Sequence, residues 1–263
     1  MTSSNKRERE LARAKYERQQ ARRAQRHRNR RRNQRITAVV VVVALVLAFG
    51  GWVLFNSFRG DDDAAPVAEA SPAAVAGCTE ATAAAATPQS FPAAPEIDTS
   101  IPSGTTITFA TNCGDIVVQT LPKLAPATVS SEVFLAEQGF YDQTPCHRLT
   151  TAGIFVLQCG DPTGTGTGGP GYTVPDENLP PKSSTTYPAG TLAMANAGSG
   201  TSGSQFFIVY EDSALGPDYT VWGKVTSGLD VVKSVAAAGV IDGSSDGTPA
   251  QSVVIQQATV SKP

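Results

Sequence analysis

The stretch CHRLTTAGIFVLQCGDPTGTGTGGPGY, from Cys146 to Tyr172, decides how this chain is read. Two short apolar runs, Cys146–Thr150 and Ile154–Cys159, are separated by Thr151-Ala152-Gly153. Short runs bounded by glycine predict a β-hairpin. His147 and Arg148 lie on the first run, Gln158 and Asp161 flank the end of the second, and a glycine-rich loop follows from Gly160 to Gly171. An arginine on an otherwise apolar strand must find a partner or face a wet cleft. By itself the pattern favours an arginine whose stem packs on the sheet while its head is solvated.

A second stretch, GTLAMANAGSGTSGSQFFIVY from Gly190 to Tyr210, predicts strands at Leu192–Ala195 and Gln205–Tyr210 around a Gly/Ser/Thr/Asn loop. Several pieces recur in order: His147-Arg148, Phe155-Val156-Leu157-Gln158-Cys159-Gly160-Asp161, Met194-Ala195-Asn196-Ala197-Gly198, Gly203-Ser204-Gln205-Phe206-Phe207 and Tyr219-Thr220-Val221-Trp222-Gly223. Taken together, over roughly Thr105 to Val260, they resemble the cyclophilin family of peptidyl-prolyl isomerases.

The resemblance implies a fold and a site. Many strands and two helices suit a sandwich or a barrel; the family pattern implies a closed eight-stranded antiparallel barrel capped by two helices. Arg148 matches the catalytic arginine, and Gln158 the residue that holds it. Phe155, Val156, Phe207 and Leu215 match the proline pocket, Ala195 and Asn196 the grip on the peptide backbone, and Gln205 the orientation of the substrate carbonyl. Val156 stands where the family usually has methionine, Tyr219 where a pocket histidine is common, and Ala214 near a tryptophan important for cyclosporin binding. The Thr150–Gly153 loop is about two residues longer than the common form. No cofactor is implied, because rotation about X-Pro needs no electron carrier or metal. The expected partners are Pro-containing segments of other polypeptides, and the chain is expected to be a monomer.

Around these stretches the pattern is regular. Thr106–Thr111 and Ile116–Thr120 alternate as strands about a turn at Asn112-Cys113-Gly114-Asp115. Ala125–Gln138 predicts a helix with Pro126 in its first turn and Gly139 as its stop. Residues 176–188 are proline-rich and expected as an exposed loop, Leu229–Ala238 as a helix, and Ser252–Val260 as a final strand.

Upstream the chain changes character. Residues 1–35 hold 14 of the 21 Lys+Arg and only Glu8, Glu10 and Glu17 among the acids, so the net charge of -2 hides a basic tail and an acidic remainder. With no apolar stripe to pack, the tail reads as a solvated cytoplasmic segment that orients the membrane span rather than as a nucleic-acid or anionic-lipid arm, and specific nucleic-acid binding is not expected. Ile36–Phe58 lacks any charged residue. At about 1.5 Å per residue it is long enough to cross a hydrocarbon core of about 30 Å. The basic block before it predicts a cytoplasmic N-terminus and an exported remainder. The run is longer than an ordinary signal-peptide core, which favours an uncleaved anchor. Val75-Ala76-Gly77-Cys78 also fits a lipoprotein cleavage pattern, but it lies about twenty residues too far along. Residues 59–104, rich in Ala and Pro, are expected as a linker, and 105–263 as the folded domain.

The four cysteines, Cys78, Cys113, Cys146 and Cys159, show no C-x-x-C spacing, so a zinc site is not expected. All lie on the expected exported side, where disulfides persist. Three connectivities are open; the hairpin favours Cys146–Cys159, which leaves Cys78 for Cys113. His147 is read as structural, and with only His27 besides, no histidine metal site is supported. Two rival functions stand beside isomerisation: a proline-peptide-binding module or holdase without turnover, and a redox sensor built on Cys146 next to Arg148.

Overall fold

The computed structural model describes residues 77–80, 88–181 and 186–263. The expected basic tail, the expected membrane span at 36–58 and most of the expected linker lie outside them. Among the described residues no helix is long and apolar enough to cross a membrane.

Among the described residues the domain is mainly β with two helices. The first hairpin joins β1 (Thr106–Thr111) and β2 (Gly114–Thr120), and helix α1 (Pro126–Glu137) follows. Next come β3 (Thr144–Pro145), β4 (Arg148–Ala152), β5 (Ile154–Cys159), β6 (Thr186–Tyr187), β7 (Thr191–Met194), β8 (Phe206–Val209), β9 (Ser213–Ala214) and β10 (Val221–Ser227). Helix α2 (Leu229–Ala237), β11 (Asp246–Gly247) and β12 (Val254–Ser261) complete the chain. Ten strands form one sheet in the order β11-β4-β5-β8-β7-β10-β2-β1-β12-β3, and β6 pairs with β9.

Period-two alternation builds the interior. Ile107 and Phe109 of β1 and Ile116 and Val118 of β2 point inward. Phe109 stacks on Phe206 with ring centroids 5.0 Å apart, and Trp222 meets Phe206 edge-on at 5.9 Å.

The sheet curls, but its order stays open where a closed eight-stranded ladder is expected: no pairing among the described strands joins β11 to β3. Both end strands are only two residues long, and Pro145 has no N–H to extend a ladder. β3 and β4, near opposite ends of the order, are separated only by Cys146-His147. The Cys146 N–H donates to Val253 O (2.9 Å), which keeps it on the β12 side, while its disulfide partner Cys159 sits in β5. That covalent bond ties the link between β3 and β4 to the end of β5.

Helix α1 is buried nearly all round, from Ala127 through Val133. Its outer face is covered by residues 88–104, which the sequence reading assigns to the linker and the structure packs on the domain. Phe91 meets Phe134 edge-on at 5.0 Å, the Asp98 N–H donates to Ser130 Oγ (2.8 Å), and Ile101 is buried. Further upstream, the Cys78–Cys113 disulfide and the Thr79 N–H to Asn112 O bond (2.8 Å) tie the chain to the first turn. Both expected pairings are present, and none of the four cysteines is free.

The expected exposed loop at 176–188 is only partly so. Tyr187 is buried, and Glu177 reaches the start of α1, where its carboxylate accepts from the N–H groups of Ala127 (3.1 Å) and Thr128 (2.9 Å). The residue preceding the helix is Ala125, which has no side-chain acceptor, so a distant glutamate supplies the cap.

Candidate active site

Register alone brings Arg148 and Gln158 together, since they are direct partners across the β4–β5 hairpin. Gly153 makes the one-residue turn possible by adopting φ 76. Arg148 Nη1 donates to Gln158 Oε1 (3.3 Å), Gln158 Nε2 to Gln205 Oε1 (2.9 Å), and Gln205 Nε2 to Gly168 O (2.9 Å). Gln158 therefore contacts the arginine as expected, and Gln205 stands behind Gln158.

The relay ends on the glycine-rich loop, which is organised by the fully buried Asp161. Its carboxylate accepts from the N–H groups of Thr163 (2.7 Å), Gly166 (2.6 Å) and Gly168 (3.1 Å). Burial pushes that carboxyl up, but the hydrogen bonds from Thr163, Gly168 and Gly166 outweigh it and hold its pKa below the ordinary value. Gly160, at φ 86, begins this loop against the Ser204 carbonyl, where any Cβ would overlap.

Arg148 also borders an apolar slot of about 150 Å³, lined by Ile154, Val156, Gln158, Ala195, Asn196, Phe207, Leu215 and Tyr219. A space of that size accepts a benzene-sized group. Tyr219 closes one wall edge-on to Phe207 (5.4 Å, 85°) and is backed by Tyr187, whose OH donates to Gly216 O (3.1 Å) and accepts from the Tyr219 N–H (3.3 Å). Asn196 Nδ2 donates to Asp218 O (2.9 Å), which fixes the rim. A wider cleft of about 630 Å³ adjoins the slot, shares Gln158, Ala195 and Asn196 with it, and adds Gln205 and the loop from Gly166 to Thr173.

Phe155 is not in the slot. Successive strand residues face opposite sides, so Ile154, Val156 and Gln158 line the slot while Phe155 turns inward, edge-on to Tyr210 at 5.9 Å. Ile154 takes the place expected for Phe155. His147 stands apart from the slot; both its ring nitrogens are buried without a partner, and burial lowers its pKa, favouring the neutral ring.

One residue at the site has no counterpart among the expected ones. Asp246, 98 residues after Arg148, receives Nε on Oδ1 and Nη2 on Oδ2, both at 2.7 Å. The hydrogen bond to Asp246 is the main reason that Arg148 is held charged above its ordinary pKa, and it holds Asp246 below its own.

The sequence model of the cyclophilin type peptidyl-prolyl cis-trans isomerase/CLD family matches residues 106–260. The chain belongs to the cyclophilin family.

Among relatives of this cyclophilin, the probable peptidyl-prolyl cis-trans isomerase B of Mycobacterium tuberculosis is 47% identical over 165 residues, covering 59% of this chain and 54% of the relative. The peptidyl-prolyl cis-trans isomerase B of Bacillus subtilis is 49% identical over 116 residues, covering 44% of this chain and 78% of the relative. The chain thus spans about half the length of the mycobacterial relative. A crystal structure of a Cryptosporidium parvum cyclophilin type peptidyl-prolyl cis-trans isomerase, in the presence of the dipeptide Ala-Pro, matches with a TM-score of 0.53 at 27% identity, over 60% of this chain and 99% of that one.

Asp246 escaped sequence reading because an aspartate in a Gly/Ser-rich turn, IDGSSDG, has the composition of any solvated loop. Ile154 was within reach: counting the pleat back from Gln158 selects it over Phe155.

Proposed function

We propose that this cyclophilin is a peptidyl-prolyl cis–trans isomerase acting on exported, unfolded or flexible chains and assisting their folding. The observation that carries the proposal is the Arg148 guanidinium, fixed at the edge of an apolar slot.

Rotation about X-Pro is slow because it breaks amide resonance, with a barrier of about 20 kcal/mol. Half-way through the rotation the proline nitrogen regains its lone pair, and a catalyst must bind that twisted amide better than either planar isomer. In this reading the ring enters the slot between Val156, Phe207, Leu215 and Tyr219. Arg148 then donates toward the nitrogen, which accepts well only when the amide is twisted. Gln158 and Gln205 prevent the fork from turning away, and Asn196 and Ala195 border the flanking peptide. In this reading the curled sheet serves as the family's barrel.

The same reading places the enzyme on the outer side of a membrane, as a monomer held by an uncleaved span at 36–58. The basic block before an uncharged run supports it, and so does the use of every cysteine in a disulfide, which suits an oxidising compartment.

The test is NMR exchange between the cis and trans forms of an Ala-Pro peptide. Accelerated exchange is expected at catalytic protein concentration. Peptide binding without acceleration would replace the enzyme by a binding module.

A further inference from the structure

We propose that Asp246 is a positioning residue for Arg148, holding the guanidinium in the plane from which it acts; the role rests on the isomerase reading above. The pair is half-exposed, with 40% of the Arg148 side chain and 52% of the Asp246 side chain accessible. Exposed ion pairs add little to stability, so the benefit of this geometry lies elsewhere. A planar fork gripped at Nε and Nη2 by one carboxylate and at Nη1 by Gln158 cannot rotate. Three of the five N–H donors are taken, and two remain for a ligand in the slot that Arg148 borders.

The loop that delivers Asp246 is built for placement. Val240 and Pro249 form an antiparallel bridge, and the Ile241 N–H donates to Thr248 O (3.0 Å). Inside it, the Ser244 N–H donates to Asp242 Oδ1 (2.9 Å) and Ser244 Oγ to Asp246 O (3.0 Å). The loop is then stitched to the arginine's own strand: Asp246 pairs with Thr150, Gly247 with Leu149, and the Thr151 N–H donates to Ser245 O (2.9 Å). A Cβ at Gly247 would press on Val240 Cγ1 at 2.8 Å, so any side chain there would make one of the two shift. Donor and acceptor thus ride on one ladder. A donor fixed beforehand needs no reorganisation when the amide twists, which offsets the field lost to the aspartate's negative charge.

The experiment compares the full chain in detergent with its D246A, D246N, D246E and R148A variants, using exchange on an Ala-Pro peptide to separate kcat from KM. Asp246→Ala should lower kcat about tenfold, the modest end of what misplacing a catalytic group costs, with KM changed less than about twofold. Asp246→Glu should recover most of the loss, and Asp246→Asn, which keeps shape but not charge, should fall between and covers the case of a misfolded alanine variant. The Arg148 Nε–H resonance, assigned by its absence from R148A, should shift in D246A. An active wild type with unchanged kcat in D246A, or a kcat loss that leaves the Arg148 resonance unmoved, would overturn the role of Asp246. An inactive wild type would instead sink the isomerase reading, and a shifted Arg148 resonance would then still establish the contact.

Discussion

Cys146, in the link between β3 and β4, is joined by a disulfide to Cys159 at the end of β5. The bond closes a short loop, with a sequence separation of 13, and fastens the β12 side of the sheet to the strand carrying Gln158. On the loop-entropy model a loop of this size contributes about 3 kcal/mol. Replacing both cysteines by serine should therefore lower the denaturant midpoint by a corresponding amount, and isomerisation should decline at denaturant concentrations where the fold persists. Coincident loss of activity and fold would show that the bond does not stiffen the site separately.

Arg148→Ala should slow isomerisation about a hundredfold or more, equivalent to roughly 3 kcal/mol, the scale of losing one preorganised donor. The fold should survive, because the carboxylate left behind on Asp246 is exposed to water. Arg148→Lys should recover little, since an ammonium cannot engage Asp246 and Gln158 as a planar fork does. A near-normal rate in the alanine variant would remove Arg148 from the mechanism.

Glu177 caps a helix from about fifty residues away in sequence. Glu177→Ala should cost about 1–2 kcal/mol of stability, the loss of an N-terminal cap together with its favourable charge at the helix start. Amide exchange should rise in the first turn of α1 before it rises elsewhere. Unaltered protection there would mean that the packing of residues 88–104 holds the helix start unaided.

Glu132 is fully buried, and desolvation raises its pKa to about 8, although the hydrogen bond donated by Tyr141 (2.6 Å) opposes the rise. Tyr141 and Tyr172 are the titratable groups facing it, and both lie above their ordinary values, chiefly through burial. The folded pKa thus exceeds the unfolded value near 4.5. The unfolded chain releases this proton first, so the stabilising term is complete below about 4.5 and is lost as pH rises to about 8. Wild-type stability should fall over that window by on the order of a few kcal/mol, and Glu132→Gln should flatten the profile. Equal slopes in the two proteins would place the titration on another group.

Protease added outside intact cells should remove the domain and spare residues 1–35. Protection of the domain would reverse the orientation drawn from the basic block.

Local pattern carried much of this protein. Alternation located β1 and β2, a short apolar run bounded by glycine located β5, helical spacing with Pro126 located α1, the hairpin favoured the pairing of Cys146 with Cys159, and the family resemblance joined Gln158 to Arg148. These are relations between near neighbours, which backbone geometry and side-chain period dictate. What tertiary structure alone decided joins distant segments: Asp246 on Arg148, Glu177 on α1, and Phe91 on Phe134. Each depends on where a loop of unremarkable composition meets a finished surface. An alanine- and proline-rich stretch has too little apolar surface to fold alone, yet residues 88–104 are ordered because α1 is already there to receive Phe91 and Ile101.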